Sequence, residues 1–436
     1  MSGLVHTHAA ILSIGDELVR GQTLDTNSRL LSARLMDLGI ETVEHATVGD
    51  DLGALVGAIR RLASSAPLVV ATGGLGPTDD DLTRDALAAV LGDQLVEDAD
   101  ALAQLTERLR SRGREVSAAQ RMQAMRPAGA TCLRNDFGTA PGLVARVQAD
   151  GAQADVFCLP GPPGELVPMW ERLVVPRLRP QPGLTIRTRF IKLIGIPEAE
   201  AAARVPGIMA RDANPQVGIT ASGGILTWRI RYRGALAPDA ADAEVERVAR
   251  RIADAMGEHV FAQAEVSLAA AVLDALKARG QMLATVESCT GGLLGAQVTA
   301  VPGSSAAFAG GFVTYTNALK QSQVGVRAET LAAHGAVSAA CAREMAAGGL
   351  ERTGADWCVS ITGIAGPDGG TGEKPVGTVH VGMARRAAHG ALVDSRRFLI
   401  PGRRDDVRER AAMSALAMLW FALRGGNPPA RLLWEQ

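Results

Sequence analysis

Two stretches of this 436-residue chain bring together residue types that break bonds or hold charged ligands. The first is Thr285-Val286-Glu287-Ser288-Cys289-Thr290-Gly291-Gly292. The apolar run 282–286 reads as a buried strand, and the small apolar residues 293–298 read as a helix. A hydroxyl and a thiol therefore sit side by side where a strand turns into a helix. Such a corner aims free backbone N–H groups at whatever lies above, and it favours a phosphate or a developing oxyanion. Gly291 and Gly292 let a ligand approach the backbone closely. This is a place for a nucleophile. A thiol at a helix N-terminus can have a depressed pKa, so Cys289 competes with Ser288 for that role. Neighbours at a turn seldom aim at one point, so one of the two does the work.

The second stretch is Gly73-Gly74-Leu75-Gly76-Pro77-Thr78-Asp79-Asp80-Asp81. Gly73, Gly74, Gly76 and Thr78 offer backbone N–H groups to a phosphate. Asp80 and Asp81, with Asp16 and Glu17 at the end of an earlier apolar run, offer carboxylates to a divalent cation beside it. A glycine turn followed by helix-capping acids would look much the same. The second acidic strand end tips the reading toward a phosphate and metal site.

A nucleophilic hydroxyl at Ser288 needs a base, and no Ser-His-Asp arrangement is visible. The seven histidines are scattered, and His6 and His8 fall in what reads as a loose N-terminal tail. Lysine is the other candidate. Lys320 closes the segment Tyr315-Thr316-Asn317-Ala318-Leu319-Lys320, which carries few other charges. Burial would lower its pKa and let it take a proton, whereas a lone lysine is more commonly a surface residue.

The elements that position these residues follow from periodicity. Residues 9–14, 42–48 and 67–72 read as strands, and 52–63 reads as a helix. Thr26-Asn27-Ser28 caps a helix that runs to Leu38 and stops at Gly39. This alternation predicts a parallel doubly wound sheet with sites at the strands' carboxyl ends. Pro176, Pro180 and Pro182 mark a linker. Beyond it, strands at 185–194, 216–220 and 226–232 with helices at 198–205 and 242–256 predict a small α+β domain. Residues 268–278, 338–348 and 404–420 read as helices of a last α/β domain, with strands at 310–315 and 357–361. The expected domains are 1–170, 171–262 and 263–425.

Composition is that of an ordinary globular chain, with 47% hydrophobic and 21% charged residues. A formal net charge of −1 and 3% aromatics leave neither a basic footprint nor stacking platforms for nucleic acid. Five scattered cysteines without a C-x-x-C pair argue for reduced thiols in the cytoplasm. No apolar run reaches the length of a membrane span, and no secretory signal is visible.

Three features of the last block resemble the nicotinamide-nucleotide amidohydrolase family: the Glu-Ser-Cys-Thr-Gly-Gly turn, Tyr-Thr-Asn-x-x-Lys, and Gly-Ile-Ala-Gly-Pro-x-Gly-Gly followed by Lys-Pro-Val-Gly-Thr-Val. Val286 stands where that family usually has alanine. The first block, with the Gly138–Gly142 and Pro160–Glu165 loops added, resembles the molybdopterin-binding fold. The middle is similar to a KH-like domain, although no G-x-x-G loop is present and Arg187, Arg189, Arg229, Arg231 and Arg233 alternate as on a solvated face. The order of the three resembles the CinA family.

That resemblance implies deamidation of nicotinamide mononucleotide, with Ser288 as nucleophile and Lys320 as base. Tyr315 and Thr362 would then orient these groups, and Cys289 would be a small packing residue. Glu287, Thr290, Gly291, Gly292, Gly363, Gly366 and Arg404 would contact the substrate, Arg404 as a clamp on its phosphate or as a plain surface charge. The deamidase would need no cofactor. The first domain would be a metal-dependent ADP-ribose pyrophosphatase with Asp16, Glu17, Asp80 and Asp81 at its divalent metal, or a degenerate nucleotide-binding module. The partners implied are small nucleotides and a second copy of the chain in a homodimer. The competing readings are an accessory protein of competence or recombination and a molybdopterin-handling protein.

Overall fold

The computed structural model describes residues 3–425 and 431–436. The chain divides into two compact units, one of residues up to Ile186 with Arg233–Ala237, the other of Arg187–Tyr232 with Pro238–Gln436.

The first unit is built on a six-stranded sheet in the order Glu41–Val48, His8–Ile14, Leu68–Thr72, Ala152–Leu159, Gly142–Ala149, Thr131–Leu133. The first four strands run parallel, and each of the last two is antiparallel to the strand before it in that order. Both faces are buried, which the strand His8–Ile14 shows residue by residue. Ala10, Leu12 and Ile14 pack with Leu55, Ile59 and Leu62 of the Leu52–Ser65 helix. Ala9 and Ile11 pack with Leu31 and Leu35 on the opposite side, joined there by Leu166, Trp170 and Val174. A strand buried on both faces reads as a continuous apolar run, as residues 9–14 do. The doubly wound expectation therefore stands. The chain from Pro163 through Leu178 still packs on this sheet, so the proline cluster at 176–182 begins inside the first unit.

Two local expectations need correction. The helix Thr26–Asp37 is capped by Asp25, whose side chain accepts from Ser28 N–H. The N-terminal segment is not loose. His6 is fully buried. Its Nε2 lies 3.0 Å from the Asp155 carboxylate, and its Nδ1 accepts from Arg179 N–H at 3.1 Å. Arg146 donates to the same carboxylate at 2.6 Å. Burial alone would raise the Asp155 pKa, but the bonds from His6 and Arg146 hold it low.

The second unit contains a four-stranded sheet in the order Gln216–Ser222, Ile225–Gly234, Thr185–Ile194, Val260–Ala262. It is backed by the amphipathic helix Pro238–Met256, which buries Val245, Ala249 and Ile252 against Trp228 and Ile230. The arginines expected on its solvated face are partly spent within it, since Arg187 donates to Asp242 at 2.9 Å. The last domain is a five-stranded sheet in the order Phe308–Val313, Leu283–Glu287, Trp357–Gly363, Thr378–Ala387, Gly390–Leu399. The first three strands are parallel and the last two form an antiparallel hairpin. Helices Leu268–Lys277, Leu293–Thr299 and Arg404–Arg424 cover one face, and Ala339–Thr353 covers the other.

Candidate functional site

Leu283–Glu287 is the middle of the three parallel strands, so its carboxyl end opens where the neighbouring strands also end. Ser288 is the first residue beyond it, held in line by its N–H donating to Ile361 O at 2.9 Å. Next to it, Phe308–Val313 runs out into Thr314 and Tyr315, and Thr316 caps the helix Asn317–Val324 by accepting from Leu319 N–H. Lys320 therefore lies one turn into a helix, not at the end of a turn. Its side chain points back under the strand ends and is 1% exposed.

The Lys320 Nζ lies 3.0 Å from Ser288 Oγ. It donates to Thr314 O at 2.8 Å, with Tyr315 O farther off at 3.5 Å. Among the described residues no carboxylate pairs with it. Burial lowers its pKa, and nothing negative nearby restores the charge apart from weak contributions of the Cys341 and Cys289 thiols. A neutral amine has two N–H donors and one lone pair. The two carbonyls suit the donors, which leaves the lone pair facing the serine hydroxyl.

The adjacent thiol is unsuited to attack. Cys289 is 6% exposed, and burial pushes its pKa up to about 12. Glu287, expected to contact substrate, is 1% exposed and does something else. Its carboxylate accepts from Gly292, Leu294 and Gly295 N–H at 3.1, 3.0 and 2.8 Å. It thereby caps the Leu293–Thr299 helix from beneath and consumes the donors that the corner was expected to offer a ligand. Among the described residues no main-chain oxygen accepts from the N–H groups of Cys289 and Thr290, the first of which lies against its own thiol, and these remain the corner's available donors to an oxyanion. The buried Thr290 hydroxyl also has no partner among the described residues.

Two other expected residues act differently from the reading of their side chains. The Tyr315 side chain is 56% exposed, and its hydroxyl accepts from Arg404 at 3.1 Å, so its contribution beside Lys320 is its main-chain carbonyl. Thr362 is buried beside Ser288 and donates to Ala336 O at 2.8 Å, fixing the loop 335–337 over the sheet. Arg404 opens the long final helix and donates to Gly366 O at 2.6 Å. It thus ties the loop that starts at Gly363 to Tyr315 at the rim, exposed and able to meet an anion. Thr314, whose carbonyl holds the lysine, was not singled out from the sequence, because a main-chain acceptor leaves no mark in residue type.

In the first unit, a cleft of about 520 Å³ is lined by Gly73, Gly74, Gly76, Thr78, Glu17, Asp80 and Asp81. The sequence reading missed Asn27, Asp50 and Glu165, which line it too. The donors expected for phosphate at Gly76 and Thr78 are already engaged. Asp81 accepts from Gly76 N–H at 2.7 Å, Thr78 N–H at 2.9 Å and the Thr78 hydroxyl at 2.6 Å. Asp16 is bonded to Arg20 at 2.6 Å and to Asp50 N–H. The four acids expected to hold a cation are thus not assembled for it. Among the described residues no three His, Cys, Asp or Glu side chains group closely enough to bind a metal. A cage made by the protein alone does not fit, and no step is derived through one. Burial raises the Asp50 pKa, and the charges of Asp16, Asp80 and Glu17 add to that, against the bond from Asp16 N–H.

Three family descriptions match the chain in order: "Probable molybdopterin binding domain" over residues 10–180, "Damage-inducible protein CinA KH domain" over 188–262 and "CinA C-terminal domain" over 265–423. A CinA-like protein of Anaeromyxobacter sp. is 42% identical over 418 residues, 96% of this chain and 99% of that one. A CinA-like protein of Synechococcus sp. is 42% identical over 417 residues, 95% of this chain and 98% of its own. Among solved structures, the competence/damage inducible protein CihA from Agrobacterium tumefaciens is 43% identical over 36% of this chain and 93% of that chain, with a TM-score of 0.34.

Proposed function

The chain belongs to the CinA family, and from that premise we propose that its last domain is a serine–lysine amidohydrolase acting on the carboxamide of nicotinamide mononucleotide. The observation that carries this reading is a buried lysine with no carboxylate partner among the described residues, 3.0 Å from a serine hydroxyl at a strand-to-helix corner.

The steps follow from those two groups. Neutral Lys320 takes the proton of Ser288 Oγ as that oxygen bonds to the carboxamide carbon. The carbonyl oxygen becomes an oxyanion, for which the Cys289 and Thr290 N–H groups are the available donors. The C–N bond breaks, the Lys320 ammonium gives its proton to the departing nitrogen, and ammonia leaves an acyl ester on Ser288. Lys320, neutral again, takes a proton from water as its oxygen bonds to the ester carbon; the C–Oγ bond then breaks, the Lys320 ammonium returns its proton to Ser288 Oγ, and the acid leaves. Proton and charge balance over the cycle, and no metal enters. The test is ammonia release from nicotinamide mononucleotide in chelator. We expect activity in the wild type and its loss in Lys320→Ala; a Lys320→Ala protein as active as wild type would overturn the mechanism.

For the first domain, the cleft of about 520 Å³ beside the Gly73–Gly76 loop has room for a small nucleotide such as ADP-ribose, and that is what we propose it takes. Formation of phosphate-ester products from ADP-ribose, measured with a divalent metal, should weaken in Asp81→Ala because the loop loses its three internal bonds. Full activity in that variant would remove the proposal.

A further inference from the structure

The opposite edge of the last sheet holds a concentration of positive charge that amide cleavage does not use. His380 lies in the Thr378–Ala387 strand, paired with Thr362 on one side and Arg397 on the other. It is 8% exposed, and its Nδ1 is buried without a hydrogen-bond partner among the described residues. Three cations from three different elements act on the imidazole: Arg397 from the edge strand, Lys374 from the loop before the His380 strand, and Arg343 from the Ala339–Thr353 helix. Each is steered by a neutral acceptor. Lys374 donates to His334 O at 2.9 Å, Arg397 to Glu373 O at 3.2 Å and Arg343 to the Ser395 hydroxyl at 3.0 Å. None of the three is in an ion pair among the described residues.

This arrangement is electrostatically incomplete. Arg343 and Arg397 are exposed and Lys374 is half-buried, so water screens their mutual repulsion, but the fold holds all three by bonds to carbonyls and a hydroxyl and gives none an ion-pair partner among the described residues. The imidazole shares the strain, since burial and then Arg397, Lys374 and Arg343 push its pKa down to about 4. An oxyanion would neutralise the cations and give the orphaned Nδ1 a partner.

We propose that His380, Lys374, Arg397 and Arg343 form an anion site that takes a phosphate group. The register shows where that site lies relative to the nucleophile. Glu287 pairs with Ile361, so Ser288 stands beside Thr362, then His380, then Arg397 along one row across the sheet. With strands about 4.8 Å apart, the His380 backbone is roughly 10 Å from that of Ser288. A phosphate there is either the far end of a mononucleotide whose amide reaches Ser288 or an independent anion. The inference itself does not depend on amide cleavage, because binding is measured directly.

The experiment titrates the full-length protein with inorganic phosphate, followed by calorimetry and by the His380 ring nitrogen resonances, with sodium chloride at matched ionic strength as the control. Saturable binding is expected, with the His380 resonances moving toward the protonated form as an anion raises the imidazole pKa. Arg397→Ala and Lys374→Ala should each weaken binding at least tenfold, while Arg397→Lys, which keeps the charge, weakens it less. Circular dichroism checks that the variants are folded, and both altered side chains lie near the surface. Absence of saturable binding in the wild type, or binding unchanged in folded Arg397→Ala and Lys374→Ala, would overturn the site. Where binding is found, phosphate competing with nicotinamide mononucleotide supports the substrate's own phosphate as occupant, and non-competitive binding supports an independent anion at the same residues.

Discussion

A primary amine that acts as a base has to be neutral at the working pH, and the surroundings of Lys320 favour that state by withdrawing water and offering only carbonyls and a hydroxyl. Two predictions belong to this scale. Because burial lowers the Lys320 pKa, the neutral fraction increases as pH rises through that lowered value, and ammonia release should climb with it and level off below the pH at which an ordinary lysine, near 10.5, would. A steady-state pH profile checks this; a rate that falls with rising pH would point to a protonated lysine and a different role. The second prediction separates the two nucleophile candidates. Ser288→Ala should lose on the order of 10⁴-fold or more of kcat, as removal of a nucleophile does in acyl-transfer enzymes. Cys289→Ala should stay within a few-fold of wild type, since its thiol is held protonated up to about pH 12. The reverse ranking would assign the attack to sulfur. The serine and lysine were legible in the sequence because their side chains do the chemistry. What the sequence did not show is where Glu287 and Tyr315 are bonded, Glu287 to three helix N–H groups and the Tyr315 hydroxyl to Arg404, because both bonds depend on how later elements fold back.

At the scale of elements, the precision of the Ser288–Lys320 pair depends on how two helices meet. Lys320 rides on Asn317–Val324, and the Ala339–Thr353 helix crosses behind it with Gly348 at that contact and Gly349 against the sheet. A Cβ on Gly348 would collide with Val324 O, the carbonyl near the end of the lysine's helix. One on Gly349 would collide with Val286 and lie 2.6 Å from Cys358 Sγ. Backbone cannot swing aside as a flexible side chain can, so Gly348→Ala must push the two helices apart. Overpacking of this kind costs about 1–3 kcal/mol. The lysine moves with its helix, and a displacement of about 1 Å can cost on the order of 10²-fold in rate. We therefore expect Gly348→Ala to lower both the melting temperature and kcat, with less effect on KM. A variant as stable and active as wild type would mean the helices slide without disturbing the pair. These glycines drew no attention in the sequence because Gly348 and Gly349 sit inside a helix, where their use appears only once the neighbouring helix and the sheet are in place. The strands and their order of use were more open to reading, since each central strand is an apolar run of four to six residues ending in a chemically distinctive loop. The N-terminal histidine was not, because His6 meets Asp155 across 149 residues of sequence.

At the scale of the whole molecule, one helix links the reaction site to the middle domain within the second unit. Arg404–Arg424 has 21 residues and is therefore about 30 Å long. Its first residue binds Gly366 O and the Tyr315 hydroxyl at the rim of the site. Its last turn meets the middle domain, where Arg424 donates to Val260 O at 2.9 Å and Phe421 lies edge-on to His259 with centroids 6.3 Å apart. Trp420 meets Phe261 in the same way at 6.5 Å. Phe421 is 3% exposed and packs so closely on Gly195 that a Cβ there would lie 3.3 Å from its ring. Removing that ring should cost about 3–5 kcal/mol, the usual range for a buried phenylalanine cut to alanine. The loss falls on the joint between the domains, at the far end of the helix from Arg404 and the Tyr315 rim, although the same core runs on to Val359, Ile361 and Val407. Phe421→Ala is therefore expected to lower the urea midpoint, to raise hydrogen exchange in both the Val260–Ala262 strand and the last helical turn, and to leave kcat for ammonia release within about twofold at temperatures where the variant is folded. A large fall in kcat without a change in stability would show instead that the helix transmits the position of Arg404 to the site, and that the middle domain tunes the reaction through it rather than only bracing its far end.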